Sequence, residues 1–335
     1  MRKAVDRQIR HAIDQALVKA GPNGQDRGTG AEPALAAYID AGIQVEVERA
    51  VTAALGDRRQ RAFRSDREFS QAMMLAAGLR SVDRTLTRRH TDTLRAEISL
   101  LAPSPLSELL LRQAYRAILD HETRGIGRIA GSTYNILGKL TVPALLCPPD
   151  GPVLEVGTLY GLFIPALVRQ LNRSGIFHHV TVVDPFVGIQ VQPGKTAFDD
   201  PTGVPVTAEV AMYNMTSCGL RPSDVRLIEG YSTDEAVRDQ VSDRRYALAV
   251  IDGDHSEDGV LRDLFWVETI CLPGAVVIMD DYGDPRWSGV ERAVRRYLEA
   301  GGQLHMMGTV STSAYLRLPD PSGSSSSNGD AQVDR

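Results

Sequence analysis

The chain has 335 residues, of which 43% are hydrophobic, and its formal net charge is −5. This length allows more than one domain, and the negative charge provides no global electrostatic reason to bind nucleic acid. No run of 18 apolar residues occurs, so no membrane span is expected. The three cysteines are widely spaced without a Cys-x-x-Cys pair, and the N-terminus lacks the apolar core of a secretory signal. These features predict a reduced, cytoplasmic protein with neither a nucleic-acid nor a membrane partner.

The first 120 residues are predicted to be mainly helical. Apolar positions recur at helical spacing from Val5 to Leu17. Further helices are expected at about 33–55, 65–78, 82–101 and 105–123. No chemical motif occurs in this region. We therefore expect residues 1–120 to mediate self-association in a homo-oligomer or to cover the binding site of a small molecule.

From about residue 121, predicted strands and helices alternate along the chain. This alternation predicts a doubly wound α/β sheet, mostly parallel, in which the last strands can pair antiparallel. A polar stretch rich in glycine and proline, residues 188–205, is long for a connection and is expected to form a lid. The tail from Pro319 is expected to be disordered. The expected strands lie at 152–156, 179–184, 225–229, 247–252, 275–280, 303–308 and 314–318.

Two apolar runs end abruptly in acidic residues. The first is Val250-Ile-Asp-Gly-Asp-His-Ser256, and the second is Val276-Val-Ile-Met-Asp-Asp-Tyr282. Apolar runs of this kind are typical of strands buried in a parallel sheet, and ligands bind at the carboxyl edge of such sheets. A cluster of oxygen donors at one edge suggests a divalent cation. The polar residues expected to converge there are Asp252, Asp254, His255, Asp280 and Asp281.

A third strand leads into a glycine turn, Glu155-Val-Gly-Thr-Leu-Tyr-Gly161. Its glycines permit backbone conformations and close approaches that a Cβ atom would block. The next strand ends in Asp184, and an acid at that place suits the two hydroxyls of a ribose. The dinucleotide pattern Gly-x-Gly-x-x-Gly is missing, so the glycines alone do not identify a ligand.

Taken together, these residues resemble the class I S-adenosylmethionine-dependent methyltransferases. The turn at 155–161 is similar to their first motif, and Asp184 to their ribose acid. The segments 251–259 and 280–290 are similar to the metal-dependent O-methyltransferases, especially the bacterial natural-product branch that includes the macrolide-sugar enzymes. The resemblance covers roughly residues 120–318. It departs from the family at Thr158-Leu159, where many relatives carry another glycine.

The resemblance implies a Rossmann-like methyltransferase sheet preceded by a helical region. It also implies transfer of a methyl group from S-adenosylmethionine to a hydroxyl of a small molecule, such as a secondary metabolite or its sugar. Mg²⁺ or another divalent cation would be held by Asp252, Asp280 and Asp281, and His255 would be the general base. The residues expected to contact the cofactor are Glu155, Gly157, Thr158, Gly161, Asp184, Gly230, Ser232 and Asp252.

Other interpretations of the same residues remain open at this stage. One of the paired acids can cap the helix after its strand, and His255 can be structural or can contact the substrate. Strand-end acids also suit a metal-dependent hydrolase, although a hydrolase would not need Glu155 and Asp184. A non-catalytic cofactor-binding or assembly protein is the remaining alternative. A nicotinamide dehydrogenase would require a different glycine spacing.

Overall fold

A mixed sheet organises the part of the chain that the structure describes. The structure, a computed structural model, describes residues 84–173, 179–189 and 204–321. Within these residues, seven strands are hydrogen-bonded in the order β3-β2-β1-β4-β5-β7-β6. The strands are β1 (Val153–Val156), β2 (Val180–Asp184), β3 (Val225–Glu229), β4 (Tyr246–Ile251), β5 (Cys271–Met279), β6 (His305–Val310) and β7 (Ser313–Arg317).

Helices flank this sheet on both faces. Most of those described begin at a serine or threonine whose side chain accepts a hydrogen bond from a backbone N–H of the first turn, the usual N-cap. The helices are α1 (Arg88–Ser99), α2 (Glu108–Arg124), α3 (Thr133–Leu146), α4 (Phe163–Arg173), α5 (Ala208–Ser217), α6 (Glu235–Val241), α7 (Glu257–Ile270) and α8 (Ser288–Glu299). None of them is both long enough and apolar enough to cross a membrane.

The central strands are parallel, and both of their faces are covered. Every residue of β1, β2 and β4 is buried, which explains why they appear in the sequence as continuous apolar runs. β1 pairs in parallel with β2 on one side and β4 on the other. The strand order reverses at this point, and such a switch point opens a crevice at the carboxyl edge of a sheet. β7 pairs antiparallel with both β5 and β6, which confirms the expected arrangement of the last strands.

The described part of the predicted N-terminal region packs into the same core as the sheet. Ile98 of α1 and Ile118 of α2 belong to one buried cluster with residues of β1 and α4. Arg84 makes a buried, bidentate ion pair with Glu122, with Nε 3.0 Å from Oε2. The expected division at residue 120 falls inside α2, so no break in the structure coincides with it.

Three predictions concern residues that the structure does not describe. They are the helices expected before residue 84, most of the lid expected at 188–205, and the tail beyond 321. At the two ends of the predicted lid, Gly188 and Val206 form an antiparallel bridge, with their backbone N–H groups each donating to the other residue's carbonyl.

Candidate functional site

A cavity opens at the carboxyl edge of the sheet, where β1 to β4 end. Most residues expected to contact the cofactor line it. Gly161 is not among them; with φ of +70°, it lies against α5, where a Cβ atom would sit 2.9 Å from the carbonyl oxygen of Ala211. The lining residues from the predicted set are Glu155, Gly157, Thr158, Asp184, Gly230, Ser232 and Asp252.

Gly157 allows the turn after β1 to pack directly against the turn after β4. Its φ is +83°, and a Cβ atom at this position would lie 2.4 Å from the carbonyl oxygen of Asp252. No L side chain tolerates such a contact, so a larger residue would push the two turns apart. Gly157 therefore determines how closely the acid on β4 approaches the glycine turn.

The carboxylate of Asp184 organises the same turn. Its Oδ2 accepts hydrogen bonds from the backbone N–H of Thr158 (2.9 Å) and of Leu159 (3.4 Å), and its Oδ1 accepts from that of Phe186 (2.9 Å). Burial raises the pKa of Asp184, although these three donors act in the opposite direction. Asp184 thus holds the cavity wall in shape as well as lining it.

Glu155 is a buried acid at the end of β1. Burial raises its pKa to about 8, opposed by the hydroxyl of Thr158, which donates to Oε2, and by the charge of Lys139. The side chain is therefore mostly protonated at neutral pH. A positively charged ligand beside it would favour the ionised form.

A second cluster lies beside the cavity, where β4 and β5 end. One ligand atom each from Asp252, His255 and Asp281 lies within 4.8 Å of the others. His255 Nε2 is 2.7 Å from Asp281 Oδ2 and 3.7 Å from Asp252 Oδ1. The imidazole stacks on Trp287 with ring centroids 4.5 Å apart. Asp281 has a φ of +57°, a left-handed conformation that is uncommon for a residue other than glycine and that occurs more often at functional sites.

Asp280 is buried beside Asp252 of this cluster and also contacts α3. Its Oδ2 forms a buried ion pair with Lys139, and its Oδ1 accepts a hydrogen bond from Asn135 Nδ2 at 2.9 Å. Although burial opposes the shift, Lys139 lowers the pKa of Asp280 to about 2. Partial burial and the neighbouring charge of Asp280 raise the pKa of Asp252. The structure thus brings Asp252, Asp281 and His255 together and engages Asp280 with Lys139.

A comparison with known proteins shows which segment of the chain is similar to a known family. A family model described as a methyltransferase domain matches residues 154–282. Residues 154–282 are thus similar to a methyltransferase domain. The matched segment runs from β1 to just past the acids at the end of β5 and includes every residue expected to bind the cofactor or a metal. A search of curated proteins finds no match to the chain.

Several solved structures are similar to the chain. A putative O-methyltransferase from Klebsiella pneumoniae is 17% identical, with 70% of this chain and 100% of that chain covered and a TM-score of 0.39. The O-methyltransferase TomG from Streptomyces achromogenes, solved in complex with SAM, is 17% identical, with coverage of 70% and 100% and a TM-score of 0.40. The calicheamicin methyltransferase CalS11 is 19% identical, with coverage of 70% and 95% and a TM-score of 0.42.

Two polar residues of the site were missed by sequence analysis. Asp263, a buried residue of α7 inside the segment matched by the family model, accepts a hydrogen bond from the hydroxyl of Ser232 at 3.0 Å. Burial raises the pKa of Asp263 to about 6. Lys139 precedes this segment, on α3. Each is a charged residue on the buried side of an apolar helix, and a charge in that position requires a polar partner.

Proposed function

We propose that this protein is an S-adenosylmethionine-dependent O-methyltransferase that acts on a hydroxyl of a small molecule of the natural-product or sugar type. One observation supports the proposal most strongly. Asp252 lines the cavity at the ends of β1 to β4 and also belongs to the cluster with His255 and Asp281. A cofactor in the cavity and a hydroxyl at the cluster would therefore meet beside one residue, as a direct methyl displacement requires.

The cavity residues suit the parts of this cofactor. The glycine turn allows the ligand to approach the backbone closely at Gly157. Asp184 ends β2, the place where an acid suits ribose hydroxyls. Tyr231 is half exposed at the rim beside Gly230 and offers an aromatic face to a base. Glu155 would ionise next to the positive charges of S-adenosylmethionine and offset them.

The acid cluster fits a divalent cation. Asp252 and Asp281 each offer an oxygen, and Mg²⁺ is commonly held by one or two carboxylates with water and substrate. Burial and the neighbouring charge of Asp280 raise the pKa of Asp252, and a cation beside this carboxyl would favour its ionised form. When bound, S-adenosylmethionine supplies the methyl group, and the cation lowers the pKa of the acceptor hydroxyl.

His255 is the general base of this proposal and takes the proton of the acceptor hydroxyl. Because Mg²⁺ prefers oxygen ligands, the imidazole stays available for proton transfer. The carboxylates of Asp281 and Asp252 lie 2.7 and 3.7 Å from Nε2 and would stabilise the imidazolium that forms. The imidazole also packs against Trp287, with an angle of 32° between the ring planes.

Methyl transfer from isotopically labelled S-adenosylmethionine to a panel of sugars, catechols and other hydroxylated compounds tests the proposal. We expect transfer to at least one acceptor, and its loss in excess chelator and in Asp252→Asn. Asp239→Asn, an exposed acid on α6, is the matched control and should retain full activity. Undiminished transfer in excess chelator would refute the role of the cation. Failure to bind S-adenosylmethionine would refute the proposal as a whole.

A further inference from the structure

Asp263 is a buried carboxylate directly behind the loop that follows β3. It lies on α7 with none of its surface exposed. Its Oδ2 accepts a hydrogen bond from the hydroxyl of Ser232 at 3.0 Å. Ser232 belongs to the loop of residues 230–233, all of which line the cavity at the carboxyl edge of the sheet. The serine hydroxyl therefore lies between the cavity and a buried acid.

The other oxygen of Asp263 faces a cation. Nη2 of Arg238, on α6, is 3.6 Å from Oδ1, which accepts no hydrogen bond from the part of the chain that the structure describes. Other contacts hold Arg238 in place, because its Nε donates to the carbonyl oxygen of Ser232 at 2.6 Å and its guanidinium lies over the ring of Trp266. On this side of Asp263 an oxygen atom is therefore favoured, and an N–H group is disfavoured.

The charge of Asp263 determines the direction of the hydrogen bond with Ser232. Burial raises the pKa of Asp263 to about 6, opposed by the serine hydroxyl and by the charge of Arg238, whereas the charge of Asp254 adds to the effect of burial. At about pH 8 the side chain is thus ionised, and an ionised carboxylate accepts hydrogen bonds without donating any. The hydroxyl proton of Ser232 is directed to Asp263, and the serine oxygen presents its lone pairs to the cavity.

We propose that Asp263 is a positioning residue that makes Ser232 a hydrogen-bond acceptor toward the cavity, so that the site selects adenine over a base with a carbonyl oxygen at C6. This inference rests on the cofactor site of the proposed function. The exocyclic amino group at C6 is the hydrogen-bond donor of adenine. Hypoxanthine carries an oxygen there, whose lone pairs would face those of Ser232. Asp263 acts through the serine and does not itself touch the base.

The experiment is a calorimetric titration of the full chain with S-adenosylhomocysteine and with S-inosylhomocysteine, in which the C6 amino group is replaced by a carbonyl oxygen. The two ligands share the ribose and the amino acid, so the ratio of their affinities reports on the base alone. At about pH 8 the wild type should bind S-adenosylhomocysteine at least about 20-fold more tightly, because the analogue leaves two acceptors facing each other.

Two results with the wild type would overturn the inference in distinguishable ways. Tight binding of S-adenosylhomocysteine with a ratio below about threefold would overturn the inference and leave the proposed function standing. Binding of neither ligand by folded protein would overturn both.

The variant Asp263→Asn keeps the shape of the side chain and reverses the hydrogen bond. Its amide oxygen should face Arg238, which places the amide NH₂ group against Ser232 as a donor. The serine oxygen then accepts this hydrogen bond, and its proton turns toward the cavity. The ratio of affinities should fall to about threefold or less. A purely structural Asp263 would weaken both ligands alike and leave the ratio unchanged, which would contradict the inference.

Two further variants complete this experiment. Ser232→Ala removes the acceptor while leaving Asp263 in place, and its ratio should fall as well; a ratio equal to that of the wild type would contradict the inference even if Asp263→Asn does not fold. Asp258→Asn is the matched control, because it removes an exposed acid from the same helix. It should keep the ratio of the wild type.

The dependence on pH gives an independent readout. Below about pH 6 Asp263 gains a proton and becomes the donor to Ser232, so the ratio of affinities in the wild type should fall between about pH 8 and about pH 5. Arginine stays protonated over this range, and Asp254 acts on both ligands alike. Asp263→Asn should show no such change. A wild-type ratio that stays constant across this range would overturn the inference.

Discussion

Replacing Glu155 by glutamine should change how the stability of the protein depends on pH. Burial raises the pKa of Glu155 to about 8 from its ordinary value of 4.5. Between these two values the folded state holds a proton that the unfolded chain has released. Stability therefore falls as pH rises through this window, because a state that binds more protons is disfavoured by their removal. Above about pH 8 the full penalty of the buried carboxylate is present.

The size of the effect follows from the separation of the two pKa values. The gap is about 3.5 units, and each unit corresponds to about 1.36 kcal/mol, so the wild type loses up to about 5 kcal/mol between pH 4.5 and pH 8. Rearrangement around an ionised Glu155 reduces this figure, and we expect about 3–5 kcal/mol. Glutamine cannot ionise, so Glu155→Gln should lack this loss.

Urea unfolding of the protein without cofactor, measured at several values between pH 5 and pH 9, tests this prediction. The wild type and Glu155→Gln contain the same other titrating groups. The difference between their two stability curves therefore gives the contribution of Glu155 alone. The curves should diverge as pH rises, with Glu155→Gln becoming the more stable protein by about 3 kcal/mol or more. Glu235→Gln, at an exposed position of α6, should follow the wild type. Parallel curves for wild type and Glu155→Gln would refute the claim that burial keeps Glu155 protonated.

Three further substitutions test other parts of the account. Arg84→Ala leaves Glu122 buried without its partner and should destabilise the protein by about 3–5 kcal/mol in chemical unfolding. A loss under about 1 kcal/mol would contradict the inference that this ion pair helps to hold the region of α1 and α2 in the core. Asp184→Ala should weaken S-adenosylmethionine binding by roughly 1–3 kcal/mol in a calorimetric titration, and unchanged affinity would remove Asp184 from the site. His255→Ala should lower turnover on the order of 10²-fold with little change in cofactor affinity; turnover near that of the wild type would exclude it as the base.

The sheet was predictable because its strands carry strong local patterns. Continuous apolar runs interrupted by acids located β1, β2 and β4 within about one residue of their observed bounds. β5 begins at Cys271, earlier than expected, because Pro273 and Gly274 obscure its first half in the sequence. Its pairing with β4 is irregular in the same stretch, between Tyr246 and Leu248.

The site was predictable only where its residues lie on the strands themselves. The acids after β4 and β5 follow apolar runs, and the common carboxyl edge of a parallel sheet brings them together. The partners of Asp280 come from α3 and β7, and Asn135 is 145 residues away in sequence. No local pattern connects residues so far apart. The positive φ angle of Asp281 likewise has no signal in the sequence.

The boundary expected at residue 120 shows a second limit of prediction from the sequence. It was placed where strand and helix begin to alternate, yet α2 continues across it from Glu108 to Arg124. A change of pattern along the chain marks a change of secondary structure, whereas a domain boundary depends on where buried contacts cease. Here the contacts of α1 and α2 continue into the core of the sheet.

Calorimetric titration of the full chain with S-adenosylmethionine, and in parallel with NAD, tests the central claim most directly. The cavity after β1, with its two-glycine turn and the acids Glu155 and Asp184, should bind S-adenosylmethionine with one site per chain and should not bind NAD. Asp184→Ala should weaken the S-adenosylmethionine titration, and Asp239→Asn should leave it unchanged. Binding of NAD in preference to S-adenosylmethionine, or binding of neither by folded protein, would contradict the account.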